Sequence, residues 1–186
     1  MGRCFVLKRF GGEAERQKVE SFLANIHETW TDHLSQIDWL DNQTRATAAQ
    51  FEEKTKCFID QYSKFAVAGP NNSTLNVNGA LTLAENLADN GGGKLSIAAY
   101  KRLNKQEQKL PGLENMSPEA LYFVNLGRSW CSKQRDEVAQ FSIYVDTHSP
   151  PNFRVNGIFQ NSVEFANTFN CPAGSPMNPE TKCSMW

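Results

Sequence analysis

The chain has 186 residues, enough for one domain and thin for two. It is 40% hydrophobic and 21% charged, with a formal net charge of -1. A charge so close to zero, with no basic stripe, argues against nucleic acid or an anionic membrane as a partner. No apolar run is long enough to span a bilayer, and residues 1–9 hold too short an apolar stretch for a signal peptide.

The sequence predicts a mainly α protein with little strand. Apolar residues recur at three- and four-residue steps, which is typical of amphipathic helices. Ser117-Pro118-Glu119 supplies an N-cap, a proline at the first helical position and an acid in the first turn. In chain order, we predict a helix over residues 13–40 and a second one from a cap at Asn42 or Thr44 to residue 65. Further helices are predicted over residues 79–90, 94–103, 117–131, 136–145 and 156–169.

Four segments between and after these helices predict irregular structure. Residues 66–78 are rich in turn formers and end in a short alternating strand at residues 75–78. Gly91-Gly92-Gly93 predicts a helix end with room for close packing. Residues 146–153 predict a loop with two prolines, and residues 171–186 an irregular tail.

Cysteines and glycosylation acceptors leave the cellular compartment open. There are five cysteines without CxxC spacing, and four Asn-x-Ser/Thr sequons, each weak alone. Cys171 and Cys183 flank a tail of the kind that disulfides tie down in secreted proteins. Five buried free thiols are the alternative. The cysteines are Cys4, Cys57, Cys131, Cys171 and Cys183, and the sequons begin at Asn42, Asn71, Asn72 and Asn115.

Two acidic residues form the first candidate site. Glu85 and Asp89 are four residues apart, so a helix places them on one face. A zinc site uses such a pair when one carboxylate binds the metal and the other orients a histidine ligand. A solvated acidic helix face is the alternative interpretation.

The histidines suggest a second candidate site and also a pair that only looks like a metal-binding motif. His148 and Arg154 lie close together around Pro150-Pro151, which suits recognition of an anionic or polarised carbonyl group, with a simple surface loop as the alternative. His27 and His33 suggest a metallopeptidase helix, but they are six residues apart. The HExxH motif needs histidines four apart, so these two cannot share a metal from one helix.

Taken in order, the motifs resemble the C-terminal part of the neprilysin and endothelin-converting-enzyme family of zinc metalloendopeptidases. Residues 51–186 match almost without a gap. Residues 2–47 resemble an earlier part of the family, so we divide the chain into segments 1–48 and 49–186. The family segment that carries HExxH is missing at residues 46–50. The matching segments are 57–62, 77–83, 85–92, 110–113, 130–131, 146–150, 152–154, 161–165, 169–171, 177–179 and 183–186.

The resemblance implies a remnant of a thermolysin-like C-terminal domain, with a role for each matching residue. Glu85 is similar to the third zinc ligand and Asp89 to the carboxylate that orients a zinc-bound histidine. His148 is similar to the residue that stabilises the oxyanion, and Arg154 to the one that binds the substrate's backbone carbonyl. Cys57 and Cys183 resemble a disulfide-bonded pair.

The family implies zinc as cofactor, peptides as partners and an extracellular or membrane-anchored location. Because two histidine ligands and the general-base glutamate have no counterpart, we expect this chain not to bind zinc and to be proteolytically inactive. A non-catalytic peptide-binding pseudoenzyme, a gene-model fragment of an active peptidase, and an enzyme that borrows its zinc helix from another chain are the alternatives. The location of this chain and its oligomeric state stay open.

Overall fold

The computed structural model describes residues 13–34, 44–103 and 109–185. Within them the predicted mainly α fold is confirmed, because helices dominate and the strands form one two-stranded antiparallel sheet. The elements are α1 Glu13–Leu34, α2 Thr44–Tyr62, β1 Ala66–Ala68, β2 Thr74–Asn76, α3 Leu83–Arg102, α4 Pro118–Ser129, α5 Asp136–Val145, α6 Pro151–Asn161 and α7 Val163–Thr168.

The chain divides into two compact units. The first unit comprises residues 1–38 and 94–106, and the second residues 39–93 and 107–186. In the first unit, Arg102 pairs with Asp32 at 2.7 Å. The boundary at residue 48 was drawn from resemblance rather than compactness, and it stays a prediction.

The strands of the second unit form a short hairpin. Ala66 pairs with Asn76, Val67 with Leu75 and Ala68 with Thr74. The prediction of a loop over residues 66–73 missed β1, because three small apolar residues carry too little alternation to distinguish a strand. The predicted strand at residues 75–78 is present, shifted to residues 74–76.

The glycine run does not end a helix, so that prediction was wrong. Helix α3 continues through Gly91, Gly92 and Gly93 as one element. A Cβ atom on Gly93 would lie 2.5 Å from Cγ2 of Ile158 in α6. The close packing of α6 stabilises the helix here, and it outweighs the ~1 kcal/mol that a glycine costs in a helix interior.

The two prolines begin a helix rather than a loop. Pro150 is the N-cap of α6 and Pro151 its first residue, where the missing N–H has no intrahelical partner to lose. The single helix predicted over residues 156–169 is in fact α6 and α7, separated at Ser162, whose hydroxyl accepts from the Phe165 N–H at 3.0 Å. Arg154 therefore lies on a helix.

The remaining elements follow the predictions more closely. Helix α5 has the predicted bounds, and Ser117 caps α4 by accepting from the Ala120 N–H at 3.1 Å. Helix α2 ends at Tyr62 rather than Phe65. The stretch predicted as helical over residues 35–40 lies outside the described residues, and residues 171–185 contain neither helix nor named strand.

The tail packs into the core of the second unit. Phe58, Tyr62, Cys183 and Met185 form a buried cluster, with Tyr62 fully enclosed. The Lys54 ammonium donates to the Met185 carbonyl at 3.0 Å. Cys57 and Cys183 form a disulfide with Cα atoms 5.7 Å apart, the pair that the resemblance implies. The tail is thus fixed to α2 covalently and by packing.

Candidate active site

Helix α3 presents two carboxylates from its first turns. The backbone carbonyl of Asn78 accepts from the Thr82 N–H at 3.0 Å, and its side chain accepts from the Leu81 N–H at 3.0 Å, which fixes the entry to the helix. Glu85 and Asp89 then lie one turn apart on the same side. Their surroundings differ, because the Glu85 side chain is 39% exposed and that of Asp89 only 8%.

His148 lies between two carboxylates. Its backbone N–H donates to Oδ1 of Asp146 at 2.9 Å, and its Nδ1 lies 2.9 Å from the same oxygen. Its Nε2 lies 3.4 Å from Oε2 of Glu85. The backbone N–H and then the imidazole stabilise the carboxylate, and the pKa of Asp146 is lowered from its ordinary value. Asp146 therefore orients the ring so that Nε2 faces α3.

Arg154 pairs with Asp89 from helix α6. Its Nε and Nη2 donate to the two carboxylate oxygens at 2.5 and 2.7 Å, a bidentate arrangement. Its guanidinium carbon lies 3.9 Å from the centre of the Trp130 ring, as in a cation–π contact. The hydrogen bonds that Arg154 donates to Asp89 raise the pKa of Arg154 above its ordinary value.

A cleft brings these side chains to one surface. It has a volume of about 240 Å³, and its walls include His148, Arg154, Trp130 and Pro150. From α3, Glu85 contacts His148 and Asp89 contacts Arg154. All four residues singled out in the sequence therefore lie together in the second unit.

Comparison with known proteins assigns the chain to a family. The family model described as peptidase family M13 matches residues 23–185. The chain belongs to peptidase family M13. Among relatives, it is 43% identical over 153 residues to neprilysin-1 of Caenorhabditis elegans and 42% identical over 155 residues to human neprilysin. Those matches cover 80% and 81% of this chain.

A solved M13-like structure shares the fold. A zinc metalloprotease of Mycobacterium tuberculosis in its open state superimposes with a TM-score of 0.68 at 26% identity, over 76% of this chain and 22% of that one. The neprilysins are likewise covered over only 20% of their length. This M13 chain thus spans about a fifth of the relatives that it matches.

Asn86 is a site residue that the sequence alone did not single out. Its side chain is fully buried, donates to Oγ1 of Thr82 at 2.9 Å and accepts from Oγ of Ser149 at 2.8 Å. The amide therefore fastens the segment that carries His148 to the helix that carries Glu85. An uncharged residue between two acids was the available signal, but its partner 63 residues away could not be read from spacing.

A polar network continues behind the candidate site. The Asn90 amide donates to the Tyr62 hydroxyl at 2.9 Å, and the Asn161 amide donates to Asn90 at 2.8 Å. Asn161 also accepts from the Cys183 N–H at 2.9 Å. Burial raises the pKa of Tyr62. A Cβ on Gly157 would overlap the Tyr62 ring, so this position requires glycine.

The donors present do not fit a complete zinc site. Asp89 is engaged by Arg154, and Glu85 has His148 as its neighbour. Within residues 13–34, 44–103 and 109–185, no group of three or more His, Cys, Asp or Glu side chains is placed to hold a metal ion. Catalytic zinc commonly takes three protein ligands, so the described residues offer too few.

Among the helices described, none has the length and apolar character to cross a bilayer.

Proposed function

We propose that this chain is an incomplete M13 zinc endopeptidase that does not cleave peptides as it stands. In this proposal Glu85 descends from a zinc ligand and Asp89 from the carboxylate that orients a zinc-bound histidine. The chain has three histidines, His27, His33 and His148, and none belongs to an HExxH motif. The chain therefore lacks the residues that would hold zinc and take a proton from water.

The observation that supports the proposal most is that His148 and Arg154 line one cleft and are paired with Glu85 and Asp89 of α3. In the proposal, Arg154 binds a backbone carbonyl of the peptide and His148 contacts the oxygen that would become the oxyanion. Asp89 uses only part of the guanidinium's N–H donors, so others remain for a carbonyl. Asp146 keeps Nε2 of His148 directed away from its own loop.

A peptide-binding pseudoenzyme is the second candidate. The Arg154 guanidinium is held by Asp89 and Trp130, so little side-chain entropy is lost on binding. We place the chain outside the cell in either case, since its disulfide needs an oxidising compartment. Two other hypotheses remain. The chain is a gene-model fragment of an active peptidase, or it borrows its zinc helix in trans.

Zinc content and hydrolysis test the first candidate. We expect the purified full chain to contain far less than one zinc per molecule and to show no chelator-sensitive cleavage of neprilysin-type peptides. Hydrolysis that co-purifies with the chain and stops on chelation would contradict the proposal. Activity that appears only after a second chain carrying HExxH is added would support the hypothesis that this chain borrows its zinc helix in trans. Sequencing the transcript across residues 47–51 tests the hypothesis that the chain is a gene-model fragment of an active peptidase.

Peptide binding separates the pseudoenzyme from an inert remnant. Calorimetry with a short neprilysin-type peptide should show binding that Arg154→Ala weakens about tenfold, equivalent to ~1.4 kcal/mol. Arg128→Ala is the matched control, because Arg128 is an exposed arginine of α4 outside the cleft. Equal affinities for the two variants, or no binding to the unmodified chain, would rule out the pseudoenzyme.

A further inference from the structure

The tip of the β1–β2 hairpin holds two overlapping sequons. Asn71-Asn72-Ser73 and Asn72-Ser73-Thr74 share Asn72 and Ser73, and all four positions are exposed. Asn71 and Asn72 have φ angles of 55° and 59°, the left-handed conformation that asparagine tolerates better than most residues. Among the described residues, neither side-chain amide makes a hydrogen bond. Both amide nitrogens are therefore available for modification.

The hairpin provides a firm base for this tip. The Gly69 N–H donates to the Ser73 carbonyl at 2.8 Å, and the Asn76 amide donates to the Ser63 carbonyl at 2.8 Å. The Gln140 amide of α5 donates to the Ala68 carbonyl at 3.2 Å. A bulky group on the tip would extend into solvent without displacing these contacts.

In the third described sequon, at Asn115, the hydroxyl residue already has a structural role. The Ser117 side chain is the N-cap of α4, and Pro118 follows it directly. Proline fixes the backbone next to the sequon and so limits the conformations in which the sequon can be read. We expect poor occupancy at Asn115. Asn42 lies outside the described residues.

We propose that Asn72 is an N-glycosylation acceptor, with Asn71 as the minor competitor. The reaction joins Nδ2 of Asn72 to the anomeric carbon of an oligosaccharide carried on a lipid diphosphate. The anomeric carbon–oxygen bond breaks, the lipid diphosphate leaves and the amide loses one proton, with no change in oxidation state. Threonine serves better than serine as the hydroxyl residue, and Thr74 belongs to the Asn72 sequon.

The proposal rests on the extracellular placement argued above and not on the peptide site. The buried Cys57–Cys183 disulfide is the structural support for that placement, because disulfides persist in oxidising compartments. A negative result in the peptide-binding experiment would leave the glycosylation result unchanged, so the two proposals fail separately.

Secretory expression tests the acceptor directly. The full chain would be produced behind a cleavable signal peptide in eukaryotic cells, recovered from both medium and microsome lumen, and treated with peptide N-glycosidase in ¹⁸O water. Trypsin then separates the sequons, since residues 65–94 form one peptide and residues 110–128 another. We expect ¹⁸O-labelled aspartate at position 72 and unmodified Asn115. An unmodified 65–94 peptide in lumenal material, or a glycan at Asn115 alone, would overturn the proposal.

Two variants assign the acceptor without straining the turn. Replacing Asn71 or Asn72 would put another side chain in the left-handed region, whereas Ser73 and Thr74 can each be replaced by alanine. Thr74→Ala removes only the Asn72 sequon, so occupancy should fall severalfold and the remainder move to Asn71. Ser73→Ala removes only the Asn71 sequon and should keep the glycan on Asn72. The reverse pattern would contradict the assignment to Asn72.

Discussion

Asp89 and Arg154 are both largely withdrawn from water, with side chains 8% and 15% exposed. At such sites a charge is stable only when it is paired, because loss of one partner leaves the other desolvated. The exposed pair of Lys56 and Asp60 on α2 has the same kind of contact at 2.6 Å but side chains 72% and 54% exposed. The two pairs therefore differ in energetic weight although their distances are similar.

Replacing Asp89 tests this difference. Asp89→Asn keeps the shape but removes the negative charge from Arg154, and we expect the free energy of unfolding to fall by about 2 kcal/mol. Asp60→Asn is the control and should change it by less than ~0.5 kcal/mol. Urea denaturation measures both. Coincident midpoints for Asp89→Asn and the unmodified chain would show that the buried pair contributes nothing.

The pKa of Asp146 tests how His148 is held. The backbone N–H of His148 is the larger cause of its lowering and the imidazole the smaller. His148→Ala keeps the backbone donor, so the pKa of Asp146 should rise only part of the way toward 3.8, the ordinary value. NMR titration of the carboxyl carbon measures it. A full return to 3.8 would assign the effect to the imidazole alone.

The sign of the pH dependence follows from the lowered pKa. The contribution of Asp146 to stability is present above its unfolded pKa and is lost as pH falls through the lower folded value. Acid should therefore weaken the Asp146–His148 contact only below pH 3.8, the ordinary carboxyl pKa.

Sequence motifs singled out the candidate site residues but not the side chains with which they pair. Glu85, Asp89, His148 and Arg154 stood out because their spacing and order matched a family pattern. The sequence linked Asp89 to an absent histidine, and the structure pairs it with Arg154, 65 residues away. Asn86 escaped notice because its importance comes from full burial and from Ser149, properties of the folded chain rather than of local pattern.

At the scale of elements, periodicity served best where a helix has one apolar face. Helix α5 was predicted with its observed bounds, and the Ser117-Pro118 cap gave the start of α4. Two of the failures came from Gly and Pro, whose local preferences depend on where in a helix they fall. Helix α3 continues through Gly91–Gly93, where Gly93 lies against Ile158 of α6, and Pro151 can begin α6 because its missing N–H costs no intrahelical hydrogen bond.

The two neighbouring glycines of α3 predict opposite effects of one substitution. A Cβ on Gly92 would meet nothing within 4 Å, so Gly92→Ala should stabilise the chain by about 0.5–1 kcal/mol through helix propensity. A Cβ on Gly93 would meet Cγ2 of buried Ile158 at 2.5 Å, so Gly93→Ala should destabilise it by about 1–3 kcal/mol. Thermal denaturation of the two variants distinguishes them, and effects of the same sign would contradict the close packing of α3 and α6.

At the scale of the whole molecule, the Cys57–Cys183 disulfide joins residues 126 apart. In the chain-entropy model, closing so long a loop stabilises the folded state by ~4–5 kcal/mol, an upper estimate. The closed loop contains every residue of the candidate site. Loss of the disulfide would therefore affect the whole of the second unit rather than the tail alone.

Removing the disulfide should lower the unfolding midpoint substantially. We expect the Cys57→Ser, Cys183→Ser double variant to lose several kcal/mol of unfolding free energy. Cys131→Ser is the control, because Cys131 is an exposed free thiol, and it should leave the midpoint unchanged. Non-reducing peptide mapping that finds both thiols free in secreted material would remove the basis of the prediction.

The same bond decides how the chain would carry tension. If its two ends were pulled apart, the load would pass from Cys57 directly to Cys183, and the loop between them would bear no force while the bond is intact. Rupture of the oxidised chain can then lengthen only residues 1–57 and 183–186, by about 200 Å at most. Reduction would release the 126-residue separation, adding about 430 Å of extension in a single-molecule trace.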